Sequence, residues 1–289
     1  MTTSLAQADV TSYGRDGFLF PIDIFTEDEA RTWRARLEAA ETAHGGRTDL
    51  PHAFNQYCRV NAHVVLPMAV ELTRHPAILD AVEGILGPDI LVWSAEFFIK
   101  EPETDAIITW HQDLTYWGLG ETDEEVTAWL ALSDVTPESG CMRFVPGSHK
   151  NRIVPHEDTF ADNNLLSRGQ EIAVDVDEDA AVDVVLRPGQ LSMHHGRMFH
   201  ASGPNRSTDR RIGMAIRYIT PAVEQHVSPH DYAILVRGRD THGHFRLIGG
   251  PATDLSPEAV ALYDEMLQAQ QVAMTEGAER EVGLYAPTA

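Results

Sequence analysis

Cysteine is nearly missing from this 289-residue chain, which holds only Cys58 and Cys141. Two cysteines make no disulfide framework and suit a reducing compartment, so a cytoplasmic setting is expected. Lysine is equally scarce: Lys100 and Lys150 stand alone among basic residues that are otherwise arginine. Positive charge is also short overall, with 22 Lys and Arg against 44 Asp and Glu and a formal charge of −22. That balance argues against nucleic acid or an anionic membrane as partner. No stretch approaches the ~18 apolar residues of a membrane span. Met1 to Val10 has neither the basic start nor the apolar run of a secretory signal. Internal repeats and low-complexity linkers are lacking too, so one domain over residues 1–289 is the simpler expectation.

What is present is ample apolar material, 43% of the chain, arranged mostly with the period of strands. Gly14 to Phe20 reads as a turn leading into a short strand. Thr26-Glu-Asp-Glu29 is a capping box that opens a helix, which Gly45-Gly46 closes. Residues 47–62 show no period and read as a loop, either a lid or a surface connection. A second helix is expected from Pro76 to Leu86, stopped by Gly87-Pro88. Ile90 to Lys100 is a strong strand whose odd positions, Leu91, Trp93, Ala95, Phe97 and Ile99, are all apolar. Its mixed even face, with Glu96 and Lys100, is either the substrate side of a barrel or simply a wet face.

Further strands are expected at 126–133, 142–146, 182–186, 191–195 and 211–219, with 151–180 as a polar excursion off the sheet. A last helix lies near Ser256 to Ala273. Strands separated by Pro-Gly turns, with helices gathered at one end, predict a mainly β fold with helical cover. The expected form is a double-stranded β-helix, or jelly-roll, barrel. The expected parts are an N-terminal helical or lid part (1–89), a jelly-roll core (90–220) and a strand and helix extension (221–289).

Chemistry concentrates in Trp110-His111-Gln112-Asp113 and in His195-Gly196-Arg197-Met198-Phe199-His200-Ala201-Ser202. On an extended segment His111 and Asp113 point the same way, so both can grip one metal, with His200 closing the set from a distant strand. Two imidazoles and one carboxylate suit Fe(II) and leave positions free for a chelating cosubstrate and O2. Eleven positions beyond His200 stands Arg211, whose fork suits bidentate pairing with a buried carboxylate. Arg210 competes for that role, but successive strand residues face opposite ways. Ser202 shares the His200 face and has a hydroxyl to offer the same carboxylate. Tyr116 and Trp117 follow Asp113 closely and are placed at the pocket mouth. His194, His195, His242 and His244 lack a carboxylate at ligand spacing and read as structural or solvated.

His-x-Asp, then His-x-Ser roughly ninety residues later with an Arg eleven beyond the His, resembles the phytanoyl-CoA dioxygenase family. Pro146-Gly147-Ser148-His149-Lys150 and His200-Ala-Ser-Gly-Pro-Asn205-Arg-Ser extend the match over roughly 90–220. The resemblance implies a non-haem oxygenase using Fe(II), 2-oxoglutarate and O2, with His111, Asp113 and His200 on the metal and Arg211 on the cosubstrate. It also implies Thr127 as a second hydroxyl for 2-oxoglutarate and Trp117 as a substrate contact. Ser202 and Thr127 also read as ordinary strand residues, and Trp117 as packing under a lid.

The resulting expectation is hydroxylation of an unactivated C–H of a small molecule, with succinate and CO2 as coproducts. Desaturation, ring closure and epimerisation need no different ligands. A non-catalytic jelly-roll binding protein and a zinc hydrolase are the readings from other classes. Halogenating relatives carry Gly or Ala where this chain has Asp113, so the resemblance points away from halogenation. Glu96 is expected to help select a positively charged substrate, partnered by Lys100 or by the ligand. Substrate identity and oligomeric state are not legible.

Overall fold

The computed structural model describes residues 4–161, 163–166 and 168–276. The chain begins with α1 (Gln7–Asp16), β1 (Phe18–Asp23) and α2 (Glu27–His44). It continues through four helices, α3 (Phe54–Arg59), α4 (Ala62–Val65), α5 (Pro67–Thr73) and α6 (Pro76–Leu86), into β2 (Ile90–Lys100). Then follow β3 (Ile108–His111), β4 (Glu125–Ala131), β5 (Met142–Phe144), β6 (His156–Asp158) and β7 (Gln170–Ile172). After β8 (Val182–Asp183) come β9 (Gln190–His194), β10 (His200–Ser202), β11 (Arg211–Ile219), β12 (Tyr232–Arg237), β13 (Arg246–Leu247) and α7 (Pro257–Thr275). Among the described residues no helix is long and apolar enough to cross a membrane.

Local chemistry sets several of these boundaries. Glu29 N–H donates to Thr26 Oγ1 at 3.3 Å, and Thr26 N–H donates to Glu29 Oε2 at 2.8 Å, so the expected capping box opens α2. Ser256 Oγ accepts from Ala259 N–H and opens α7, with Pro257 at its first position. The helix expected at Pro76 to Leu86 is α6.

A seven-stranded sheet runs in the order β1-β9-β4-β11-β2-β12-β13, and a four-stranded sheet in the order β3-β10-β5-β8. Alternation along β4 and β11 builds the layers. Val126, Ala128, Leu130, Ile212, Met214, Ile216 and Tyr218 pack with the helices in one core. Trp129, Ala131 and Ala215 look the other way, onto Ile108, Met142 and Phe144 of the smaller sheet. The large sheet therefore has helices on one face and the small sheet on the other. It draws β1, β12 and β13 from outside the expected 90–220 core.

Four expectations are corrected here. Tyr13 to Asp16 belongs to a helix, and only Phe18 onward is strand. Residues 54–59 and 62–65 are helical, with Phe54, Tyr57 and Cys58 buried, because two short helices carry apolar residues too closely spaced for a surface loop. The 151–180 stretch holds the β6–β7 hairpin, and Leu165 N–H donates to Ile107 C=O at 2.9 Å beside β3, so it is fastened to the sheet. Finally, β2 does not present one unbroken apolar face. Arg217 pairs with Ser94 but Tyr218 with Val92, which leaves Trp93 as an extra residue in a bulge. Leu91 and Trp93 consequently pack on the opposite side from Ala95 and Phe97.

Candidate metal centre and cosubstrate pocket

The site lies between the two sheets. Across β10 and β3, His200 is the direct partner of His111, and their ring centroids are 4.0 Å apart. Gln112 is extended, so Asp113, at the start of a short 3-10 turn, returns to the His111 side. Gln112 itself faces away, buried, with its amide donating to the Arg197 C=O at 2.9 Å and its carbonyl accepting from Val154 N–H at 2.9 Å. That clamp fixes the backbone between the two ligand candidates.

The donor set fits a metal ion. Nδ1 of His111 lies 2.9 Å from the Thr109 C=O, and Nδ1 of His200 lies 3.0 Å from the Met198 C=O. A carbonyl only accepts, so each Nδ1 carries the proton and each Nε2 keeps its lone pair. Asp113 Oδ1 sits 3.3 Å from His111 Nε2 and 3.9 Å from His200 Nε2. Bonds of about 2.1 Å to one ion bring neighbouring ligand atoms to about 3 Å, a small contraction from this arrangement. Burial opposes charge on Asp113, yet the surrounding imidazoles of His111, His194 and His200, with the Arg217 guanidinium, hold its carboxyl well below the usual range. His200, buried and beside His111, is held neutral, as a metal ligand must be. Among the described residues this is the one His, Cys, Asp and Glu cluster with such geometry.

One arm of the cavity, about 460 Å³, runs from the triad to Arg211 and is lined by Thr127, Trp129, His194, Ser202 and Arg217 among others. Arg211 is 1% exposed and donates one bond, from Nη1 to the Gly140 C=O at 3.1 Å. Its Nε and Nη2 have no acceptor, an arrangement that suits an entering carboxylate. Arg210 points out of the cavity to Glu41 and Glu101. Ser202 Oγ accepts from Lys100 Nζ at 2.7 Å and lines the same arm. Thr127 Oγ1 donates to Glu125 Oε1 at 2.9 Å, and burial plus the Asp113 charge push Glu125 up to about 8.

The second arm, about 660 Å³ counted to its open mouth, leads away from the triad past Glu96, Tyr116 and Trp117. Trp117 is buried, not exposed, against Trp93 at 5.1 Å. The Tyr116 hydroxyl is buried without a partner. Glu96 does face the cavity, but its partners are not Lys100. Arg59 Nη1 donates to it at 3.0 Å and Arg217 Nη1 lies 3.1 Å away, so the carboxylate is already neutralised and unfit to select a cation. Lys100 lies instead at the Arg211 end, among Ser202 and Gly203, away from the second arm.

Several site residues escaped the sequence reading. His194 is not merely structural or solvated: it lines the first arm, with Nε2 3.8 Å from Asp113 Oδ2 and both ring nitrogens unpaired. His195 makes its bond to Asp123 at 3.1 Å, and His242 and His244 lie outside both arms. Arg217 was legible in principle, since Arg211, Ala215 and Arg217 share one face of β11 by alternation. Arg59 and Gln170 carried no signal, because each reaches the cavity from a segment read as loop or excursion.

The family model for phytanoyl-CoA dioxygenase matches residues 13–213. A protein described as a probable alpha-ketoglutarate-dependent hypophosphite dioxygenase of Stutzerimonas stutzeri is 27% identical over 224 residues, covering 75% of this chain and 76% of that protein. The peroxisomal phytanoyl-CoA dioxygenase of Homo sapiens is 27% identical over 154 residues, 51% of this chain and 46% of that protein. This chain thus spans about half the length of that curated relative. Among solved structures, the non-heme monooxygenase ThoJ is 38% identical and superposes with a TM-score of 0.81, covering 92% of this chain and 97% of that one. With the metal-ready triad and the buried arginine already in place, these matches establish that the chain belongs to the phytanoyl-CoA dioxygenase family, the dioxygenases dependent on iron(II) and 2-oxoglutarate.

Proposed function

We propose that this chain is one oxygenase unit that hydroxylates an unactivated C–H bond of a small molecule, releasing succinate and CO2. The observation that carries the reading is Arg211: a buried guanidinium with two donor nitrogens lacking an acceptor, on the strand face that looks toward the His111, Asp113 and His200 donor atoms. The sheets meeting around that cavity suit a jelly-roll barrel, the fold of the family's iron oxygenases.

In this reading His111, Asp113 and His200 hold Fe(II), and Arg211 receives the distal carboxylate of 2-oxoglutarate. When bound, iron and 2-oxoglutarate together supply the activation of O2 that breaks the substrate C–H bond. The protein's own share is positional. Backbone carbonyls at Thr109 and Met198 fix the two imidazole tautomers. Lys100, donating to Ser202 Oγ and placed next to Arg211, adds a second positive charge for the same carboxylate. Trp129 and Phe98 keep the channel dry and apolar, which strengthens each charged contact inside it. Asp113 would supply the carboxylate ligand that halogenating relatives lack, which favours hydroxylation.

The test is a library of small molecules screened for substrate-dependent succinate release, with products analysed by mass. One added oxygen atom per succinate supports hydroxylation. Loss of two hydrogens per succinate would assign desaturation or ring closure to the same site, and an unchanged mass with inverted stereochemistry would assign epimerisation.

A further inference from the structure

His194 is a buried imidazole without a hydrogen bond, set beside a carboxylate with an oxygen to spare. It is 1% exposed, and neither Nδ1 nor Nε2 has a partner among the described residues. Strand pairing puts it there, because β9 sets His194 opposite Thr127 of β4 and Phe18 of β1. Its ring centre lies 4.9 Å from those of both Phe144 and His200. An apolar side chain would fill that space without leaving two ring nitrogens unpaired, so the imidazole needs a polar reason. Asp113 supplies one. Its Oδ1 faces Nε2 of His111 and of His200, at 3.3 and 3.9 Å, while its Oδ2 faces His194 Nε2 at 3.8 Å. Once Oδ1 is given to a metal, Oδ2 is a buried acceptor in need of a donor. Two other groups near Asp113 are turned elsewhere. Glu125 accepts from Thr127 through Oε1, and its Oε2 lies 2.4 Å from where a Cβ on Gly196 would stand. Arg217 pairs with Glu96 at 3.1 Å.

Resting on the iron(II) reading of the triad, we propose that His194 is a positioning residue for Asp113. Its Nε2–H donates to Oδ2 and thereby presents Oδ1 to the metal. A movement of about 0.8 Å brings the two atoms to the ordinary length of about 3.0 Å. This bond keeps the carboxylate from turning both oxygens to the metal, which leaves a coordination position free. It also draws charge out of the carboxylate, so Asp113 gives less of it to the metal. His194 itself touches neither metal nor substrate.

Three proteins are compared: the unaltered chain, His194→Phe, which keeps a ring and loses the donor, and His194→Gln, whose amide N–H reaches the same place. Each is titrated without oxygen, first with Fe(II) alone and then with 2-oxoglutarate, reading metal affinity and the visible absorption of the chelate. His194→Phe is expected to bind Fe(II) about tenfold or more weakly. Its chelate absorption should move to longer wavelength, because a carboxylate without its donor gives the metal more charge. His194→Gln should stay within about threefold of the unaltered chain and keep its absorption maximum. The unaltered protein loaded with diamagnetic Zn(II) gives a reading that needs no variant to fold: nitrogen-15 NMR should place the His194 proton on Nε2. An Nε2 without a proton there overturns the proposal. So does a His194→Phe with unchanged Fe(II) affinity and absorption, and so does a His194→Gln no better than His194→Phe, which would make the role one of packing. Weaker 2-oxoglutarate binding in His194→Phe with Fe(II) affinity intact also overturns it, by assigning the donor to the cosubstrate. Failure of the unaltered chain to bind metal at all is a separate result, and it removes the parent reading and this inference together.

Discussion

Arg211 and Lys100 stand directly opposite each other on β11 and β2, and each is 1% exposed. Like charges facing across a sheet interior oppose folding. Burial, with Arg211 nearby, pushes the Lys100 ammonium down to about 6, and burial lowers Arg211 to about 10. The pair makes sense beside a carboxylate, because an anion held by Arg211 would face Lys100 across the two strands and favour its charged form.

Lys100 should therefore take up a proton when 2-oxoglutarate binds near pH 7.5. Calorimetry of that binding in buffers of different ionisation enthalpy is expected to show net uptake. Without ligand, the folded pKa near 6 lies below the ordinary 10.5, so the unfolded chain holds more protons between those values. Stability linked to Lys100 then rises with pH across that window and is lowest below about 6. Lys100→Met should remove this dependence, while leaving the carbonyls of Ser202 and Gly203 without their Lys100 donor. It should also weaken 2-oxoglutarate binding about tenfold. Denaturant midpoints measured from pH 6 to 9 check the first effect.

Arg211→Ala should weaken 2-oxoglutarate by about 2–5 kcal/mol, since it removes the partner of a buried carboxylate. Iron uptake should be retained. Arg210→Ala loses its pairing with Glu38, Glu41 and Glu101, outside the cavity, and should leave 2-oxoglutarate affinity unchanged. Titrations of both variants compare the two directly. The reverse outcome would mean that the strand register is wrong by one residue.

Gly213→Ala tests how the cosubstrate arm is shaped. A Cβ there would lie 1.8 Å from Trp129 Cζ2, so the ring must move. Trp129 lines the arm and faces Arg211 at 5.4 Å. The variant is expected to lose about 1–3 kcal/mol of stability. Its 2-oxoglutarate affinity should fall as well, measured by denaturation and titration on one preparation.

Much of this was legible in the residues themselves. His111, Asp113 and His200 are picked out by period-two spacing and a distant third imidazole, whereas strand alternation leaves Arg210 and Arg211 as rivals and the family resemblance selects Arg211. The capping box of α2 and the whole span of β11 also follow from local pattern. What stayed hidden has physical causes. The Trp93 bulge shifts β2 by one residue, and strand periodicity cannot register an insertion that only the pairing partner reveals. Arg59 reaches the cavity from a six-residue helix, too short to show a helical period. The charge that Glu96 presents depends on arginines at sequence positions 59 and 217, which no local pattern links to it.

Asp113→Gly should lose most Fe(II) affinity, because no other carboxylate among the described residues replaces it in the triad. Product masses from the unaltered enzyme in excess chloride or bromide should show no halogen. A halogenated major product would overturn hydroxylation while leaving the metal and cosubstrate positions intact.

The most direct measurement follows one preparation through two steps. The protein is first titrated with Fe(II) and 2-oxoglutarate without oxygen, reading the visible charge-transfer absorption of the chelate. Oxygen is then admitted, and O2 consumption and succinate are quantified for the unaltered chain, His200→Ala and Arg211→Ala. The account predicts one equivalent of each ligand bound and succinate formed in step with O2 by the unaltered chain. It predicts no chelate absorption in His200→Ala, and formation only at much higher 2-oxoglutarate in Arg211→Ala. Iron bound with no chelate absorption and no succinate from the unaltered chain would contradict it.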